Sequence, residues 1–153
     1  MIVRITDWLF QGDADSVRQG EYKRHPVRAV ACVSENRERA FPEESLNPGV
    51  SYLWCPFDDP GEYLTAQKLS AIIEFARVFR AGLPAEQAGG LLVHCAGGIN
   101  RSSAVCALLL ATLDGLPAKA ACALVAERND RMYVRPELTE RIFALTGHDI
   151  RAP

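Results

Sequence analysis

The chain has 153 residues, of which 48% are hydrophobic and 24% are charged, with a formal net charge of −2 and a pI near 5.9. These values are typical of one globular domain that buries its own core, and they exclude a disordered chain. The mildly acidic balance provides no basic field that would draw the protein to nucleic acid or to an anionic membrane.

Neither the N-terminus nor any later stretch looks like a targeting or membrane-spanning segment. No basic region is followed by an apolar one at the start, and nowhere do about 18 apolar residues run together. The five cysteines form no C-x-x-C pair, and their odd number argues against a fully paired disulfide framework. We therefore expect a single domain over residues 1–153 that is cytoplasmic, monomeric and free of disulfides.

The first third of the chain predicts short strands and one short helix. Val3–Ile5 and Trp8–Gln11 have the pattern of two strands, and Gly12 ends the second. Asp13 or Asp15 is a suitable cap for a helix over Ser16–Lys23. The next segment, Val27–Val33, is apolar and β-branched, which is typical of a buried parallel strand.

The middle of the chain continues the alternation of strands and helices. Ser34–Gly49 is charged and contains two prolines, so it predicts a long surface loop. Val50–Trp54 is the next predicted strand. A helix follows from the cap residue Thr65 to Gly82, because apolar residues recur there at helical spacing.

The last part of the chain predicts one more strand and three helices. Ala85–Gly90 is a connecting turn before the apolar strand Leu91–His94. The helix Ser102–Asp114 is apolar almost all round, so it should be buried. Pro117 opens a helix that ends near Arg128, and Pro136 opens another that Gly147 closes.

This order of elements predicts an α/β fold with a central, mostly parallel sheet and helices on both faces. Ligands of such sheets bind at the carboxyl ends of the strands. The stretch HCAGGINRS, from His94 to Ser102, lies at one of these ends.

That stretch has the composition of an anion-binding loop. Two glycines let the chain curl with its N–H groups inward, at the start of a helix, where phosphate binds readily. The same positive potential favours the thiolate of Cys95, which makes Cys95 a candidate nucleophile. Arg101 has the planar fork that can hold two phosphate oxygens at once.

The cysteine, the five-residue loop, and the arginine followed by serine resemble the signature of the cysteine-dependent protein tyrosine phosphatases, most closely the dual-specificity branch. The resemblance implies phosphate-ester cleavage through a phosphocysteine, with no metal and no cofactor. It also implies a general acid on a separate loop. The stretch YLWCPFDDPGE, just after a strand, is similar to the acid-bearing loop of this family, and its register favours Asp59 over Asp58.

The resemblance assigns roles to the remaining residues of the motif. Ser102 would hydrogen-bond the sulfur of Cys95, although capping the following helix is an equally good reason for a serine there. His94 would order the loop rather than act as a base, because neighbouring strand residues point to opposite faces. The phosphate-binding N–H groups would be those of Ala96, Gly97, Gly98, Ile99, Asn100 and Arg101.

The expected substrate is a phosphorylated protein, carrying phosphotyrosine and also phosphoserine or phosphothreonine. All loop residues between Cys95 and Arg101 are uncharged, whereas inositol-phosphate enzymes of this superfamily tend to carry basic residues there. The G-x-N-R pattern of Gly98–Arg101 is similar to that of RNA 5′-triphosphatases, and this activity is one alternative function. A catalytically inactive phosphate-binding scaffold is the other, and the intact Cys95, Asp59 and Arg101 argue against it.

Redox control is a further expectation. A reactive Cys95 would oxidise readily, and a neighbouring thiol could trap the sulfenic acid as a disulfide. Cys32 is the expected partner, because it ends a strand of the same predicted sheet, and Cys55 is the second choice. The alternative is that both cysteines are buried and inert.

Overall fold

The computed structural model of the protein describes residues 1–35, 48–83 and 89–151. Its strands are β1 (Ile2–Arg4), β2 (Leu9–Asp13), β3 (Val27–Cys32), β4 (Ser51–Trp54) and β5 (Gly90–Cys95). Its α-helices are α1 (Ala14–Arg18), α2 (Ala66–Ala81), α3 (Arg101–Leu113), α4 (Ala118–Arg128) and α5 (Pro136–Thr146), with a 3-10 helix over Glu21–Arg24.

The described strands form one mixed sheet in the order β1-β2-β5-β3-β4. Only the β1–β2 pair is antiparallel, because the short connection between these strands allows a hairpin, while the other pairs are parallel. The most apolar strand, β5, lies in the middle and is buried along its whole length. The predicted α/β fold with a mostly parallel sheet is confirmed.

Helices cover both faces of the sheet, as predicted, but unequally. The larger core lies between one face and the helices α2 to α5. The other face carries a smaller cluster in which Val17 of α1 and Tyr22 of the 3-10 helix pack on Val30 and Leu92. Every residue of α3 from Arg101 to Ala111 is buried, which explains why this helix is apolar all round.

Local sequence signals account for most element ends. Thr65 caps α2 by accepting a hydrogen bond from the backbone N–H of Lys68 at 3.2 Å. Gly147 closes α5 at a φ of 77°, a left-handed conformation that glycine adopts without strain. Of the two proposed caps for the first helix, Asp13 is the one used, since its carboxylate accepts from Ser16 N.

The helix predicted over Ser16–Lys23 is wrong in extent. The α-helix ends at Arg18, and Gly20 at a φ of 79° separates it from the 3-10 helix. A glycine in this conformation interrupts the α-helical hydrogen bonds, so the segment forms two short pieces. The predicted loop Ser34–Gly49 and turn Ala85–Gly90 lie largely outside the described residues.

The structure also bears on membrane-spanning helices and on disulfides. Among the described helices, none combines the length and apolar character needed to cross a membrane. The five cysteines are all free and all buried.

Candidate active site

Cys95 is the last residue of β5, at the carboxyl end of the central strand. Its thiol is only 2% exposed and lies at the bottom of a pocket of about 320 Å³. The Sγ atom is 3.2 Å from the Oγ atom of Ser102, in the first turn of α3. The strand end and the helix start thus hold sulfur and hydroxyl within hydrogen-bond distance.

The loop between Cys95 and Arg101 turns its carbonyl groups outward. Ala96 O accepts from Ala14 N at 3.2 Å, Gly98 O accepts from the Asn129 side chain at 2.9 Å, and Ile99 O accepts from Tyr133 N at 3.1 Å. In a trans peptide the N–H points away from the C=O. The N–H groups of residues 97, 99 and 100 therefore face the inside of the loop, as an anion site requires.

Gly98 is the position in the loop where only glycine fits. Its φ is 68°, and a Cβ atom added there would meet the backbone oxygen of Gly12 at 3.2 Å. A side chain would thus be strained by the backbone conformation and crowded by the neighbouring strand.

A buried polar network supports the loop from behind. Gln11 on β2 is fully buried, and its Nε2 donates to Ser102 Oγ at 2.9 Å and to Ser103 Oγ at 2.7 Å. The Asn129 amide, just after α4, donates to Gln11 Oε1 at 3.1 Å as well as to Gly98 O. Buried amides are costly unless paired, so this network fixes the relative positions of the loop, β2 and α3.

Arg101 begins α3 and is 8% exposed. One guanidinium nitrogen donates to the backbone oxygen of Phe57 at 3.0 Å, while Nε lies 3.4 Å from Asp59 Oδ1. The guanidinium is therefore anchored to the loop after β4 and borders the same pocket as Cys95.

The two neighbouring aspartates of that loop have different environments. Asp58 is 8% exposed, and its carboxylate accepts from the backbone N–H groups of Glu62 at 2.6 Å and Tyr63 at 2.7 Å. Burial by itself would raise the pKa of Asp58, but these hydrogen bonds outweigh it and hold the pKa below its usual value. Asp58 is thus a carboxylate that shapes the loop.

Asp59 has the opposite orientation and lines the pocket. Its side chain is 42% exposed, and its Oδ2 lies 2.9 Å from Nε of Arg135, the residue that precedes α5. Between these loops, the Asn100 side chain donates to Asp59 O at 2.6 Å and accepts from Arg135 N at 2.8 Å. Asn100 therefore joins the anion loop, the Asp59 loop and the start of α5.

The pocket is bordered by residues from three segments. Besides Cys95, Asp59 and Arg101 they are Ala96, Gly97, Ile99, Asn100, Tyr133 and Arg135. Tyr133 is 61% exposed, so an aromatic ring stands at the rim. The pocket thus combines a cysteine, an aspartate and two arginines with an aromatic residue at its mouth.

His94 is completely buried, and its Nδ1 lies 3.3 Å from the carbonyl oxygen of Cys95. Because a carbonyl only accepts, the Nδ1 atom must carry the proton of this contact. Burial lowers the pKa of His94 to about 4, so the ring is neutral at physiological pH. His94 contacts the first peptide of the loop and does not reach the pocket.

The structure places Cys32 beside the site but outside the pocket. It pairs with His94 in the sheet register, and alternation of side chains puts it on the face opposite to Cys95. Burial raises the pKa of Cys32 to about 11, with a smaller contribution from the Cys95 sulfur. Cys55 is also buried, which raises its pKa. The disulfide between Cys32 and Cys95 stays a prediction.

The sequence motif thus identified residues that the fold brings together around one pocket, but it missed four others. Gln11 carried a signal, because a glutamine interrupts the apolar pattern of a buried strand. Arg135 could have been found from its position just before Pro136. Asn129 and Tyr133 lie in an irregular segment after α4 and had no local signal.

A cysteine at a strand end, an anion loop and an arginine at the following helix define a cysteine-dependent phosphatase site. The family model for the dual specificity phosphatase catalytic domain matches residues 9–146. The chain therefore belongs to the dual-specificity phosphatase family.

Solved structures are similar over nearly the whole chain. Human DUSP28 is 28% identical, with an alignment that covers 95% of this chain and 93% of the human one, and it superposes with a TM-score of 0.76. A mouse putative dual specificity phosphatase complexed with zinc tungstate is 25% identical, with coverages of 95% and 86% and a TM-score of 0.78.

PTPMT1 in complex with PI(5)P is 20% identical, with coverages of 94% and 93% and a TM-score of 0.76, so it shows the fold alone. No curated protein sequence matches this chain.

Proposed function

We propose that this protein hydrolyses phosphate monoesters, foremost phosphotyrosine and also phosphoserine or phosphothreonine in proteins, through a phosphocysteine intermediate. The observation that carries the proposal is the grouping of Cys95, Ser102 and Arg101 around a loop whose N–H groups face one pocket. A thiolate nucleophile, an anion cradle and a phosphate-binding guanidinium are the groups that hydrolysis through a phosphocysteine would use.

In the first step, the Cys95 thiolate attacks phosphorus in line, and an S–P bond forms as the P–O bond to the leaving group breaks. Asp59 gives its proton to the departing oxygen. Its position on the pocket wall supports this role, whereas the carboxylate of Asp58 is occupied by backbone N–H groups. A bound phosphoryl dianion competes with Asp59 for Arg101, which leaves the Asp59 carboxyl group available to the departing oxygen.

In the second step, Asp59 takes a proton from water while the water oxygen attacks phosphorus. The S–P bond breaks, inorganic phosphate leaves and the thiolate is restored. The Ser102 hydroxyl donates a hydrogen bond to the sulfur as negative charge returns there, which stabilises the departing thiolate. In both steps Arg101 and the loop N–H groups stabilise the equatorial oxygens.

The rim of the pocket supports the preference for phosphotyrosine. Ile99 and Tyr133 offer apolar and aromatic surface to the ring of an aryl phosphate. The uncharged loop residues provide no additional cations for a polyphosphorylated headgroup.

The test compares wild type and Cys95→Ser on p-nitrophenyl phosphate, on phosphotyrosine and phosphoserine peptides, on a phosphoinositide panel and on triphosphate-ended RNA. We expect turnover by wild type, highest on phosphotyrosine among the natural substrates, and only trace activity of Cys95→Ser with vanadate binding retained. Faster turnover of RNA or phosphoinositide would overturn the proposed substrate. Substantial activity of Cys95→Ser would overturn the covalent mechanism.

A further inference from the structure

The network formed by Gln11 and Asn129 lies behind the active site and touches no part of the pocket. We propose that Gln11, held by Asn129, is a positioning residue that directs the hydroxyl proton of Ser102 onto the sulfur of Cys95. The inference rests on the proposed function, because the thiolate is both the nucleophile and the leaving group there.

The neighbours of the Gln11 amide determine its orientation. Gly98 O lies 3.3 Å from Nε2 and can only accept, and both hydroxyls that Nε2 contacts have lone pairs to offer. On its other side, Oε1 receives the Asn129 amide. The surroundings therefore fix Nε2 toward α3, where its two N–H groups are shared among Ser102 Oγ, Ser103 Oγ and the more distant Gly98 O.

Ser102 has a single proton to donate. A hydroxyl donates once, and its rotor turns to suit its neighbours. Because Gln11 donates to Ser102 Oγ at 2.9 Å, the serine proton cannot point back at Gln11 without clashing with that N–H. The remaining contact is Cys95 Sγ at 3.2 Å, and a thiolate can only accept, so the hydroxyl donates to sulfur once Cys95 is ionised.

This arrangement is set before the reaction begins. Gln11 is fully buried and Ser102 is fully buried, so no water is needed to complete either group, and a donor that is fixed in advance has no reorganisation cost. A hydrogen bond to a charged sulfur is stronger than one to a neutral thiol. The network should therefore favour the thiolate in the free enzyme and ease its departure from phosphorus.

The experiment measures the pH dependence of Cys95 alkylation by iodoacetamide in wild type, Gln11→Met, Ser102→Ala and the double variant. We expect Gln11→Met to move the midpoint of the profile up by about one unit, which slows alkylation about tenfold at any pH well below both midpoints. In the Ser102→Ala background the same change should have no further effect, because Gln11 acts through Ser102.

Ser103→Ala is the matched control, because it removes the other hydroxyl that Gln11 contacts. It should move the midpoint less than Ser102→Ala does, since Ser103 belongs to the same network but has no described hydrogen bond to Cys95. Equal additive shifts from Gln11→Met and Ser102→Ala, or no shift from Gln11→Met, would overturn the proposal.

Two further readouts separate this inference from other failures. Should Gln11→Met not fold, Asn129→Ala frees the Gln11 amide to rotate and should give a smaller shift that also requires Ser102. Alkylation needs no turnover, so a wild type that hydrolyses no phosphate ester would contradict the proposed function while the profiles still decide the role of Gln11.

Discussion

Two of the three segments that border the pocket, the loops after β5 and β4, are held in place by different means. The anion loop after β5 rests on side chains that are completely or almost completely buried, Gln11 and Asn129, and is followed by a buried helix. The loop after β4 is shaped by its own Asp58 carboxylate and presents Asp59 at 42% exposure, paired with arginines. The difference indicates that the proposed transition-state cradle is preorganised, while the proposed acid, Asp59, is held through contacts that substrate can compete for.

The largest effect is expected from replacing the arginine that links the two loops. Arg101→Lys removes the bidentate fork and the hydrogen bond to Phe57 O together. We expect kcat/KM for p-nitrophenyl phosphate to fall by about 10²–10³-fold. Arg135→Lys at the rim is the matched control and should cost much less. Equal losses in the two variants would show that Arg135 holds the phosphoryl group as much as the buried Arg101 does.

The next largest effect should come from replacing Asp59, the proposed general acid in the loop after β4. Asp59→Asn should slow hydrolysis of phenyl phosphate about 10²-fold while p-nitrophenyl phosphate, whose leaving group needs less protonation, is affected far less. Asp58→Asn should lower the melting temperature, because it weakens the hydrogen bonds to Glu62 and Tyr63 N–H, without this leaving-group dependence. If Asp58→Asn gave the leaving-group dependence instead, the assignment of Asp59 would be wrong.

The buried His94, next to the anion loop, should make the stability of the protein depend on pH. Burial lowers the pKa of His94 to about 4, so between pH 4 and 6.5 the unfolded chain binds a proton that the folded chain does not. Stability is therefore lost as pH falls, by about 2 kcal/mol between pH 7.5 and pH 5 from this group. Denaturant unfolding should show a shallower slope with pH for His94→Asn than for wild type.

His148→Asn is the control for that measurement, because it replaces a histidine beyond the end of α5. It should keep the slope of wild type. A wild-type slope in His94→Asn would mean that other groups cause the acid sensitivity.

The smallest effect concerns the predicted redox pair. Mild peroxide followed by a thiol reductant should restore slightly less activity in Cys32→Ser than in wild type. The effect is small because the pKa of Cys32 near 11 keeps its thiol protonated and slow to attack a sulfenic acid. Equal recovery in both proteins would remove Cys32 from the mechanism.

The elements around Cys95 could be predicted from the sequence better than the contacts that support them. The strand, loop and helix around Cys95 were predictable, because an apolar run, two glycines and a following apolar helix are local signals. The parallel sheet followed from the alternation of strands and helices. The break at Gly20 was not predicted, although the glycine itself was a visible signal.

The support of the site was hidden from the sequence because it depends on contacts between distant segments. Asn129 is 31 residues from Gly98 and 118 from Gln11, and nothing in its neighbourhood marks it as buried. Likewise, only the register of the family resemblance favoured Asp59 over Asp58. Local signals could not show that Asp58 faces its own loop while Asp59 faces the pocket, since both fit a turn before Pro60.

The central claim is that Cys95 carries the phosphoryl group during turnover. Rapid acid quenching of wild type with p-nitrophenyl phosphate, followed by mass spectrometry of its peptides, tests this most directly. We predict a phosphoryl group on the peptide that contains Cys95, formed together with a burst of p-nitrophenol. Turnover without such an adduct, or an adduct on another residue, would contradict the claim.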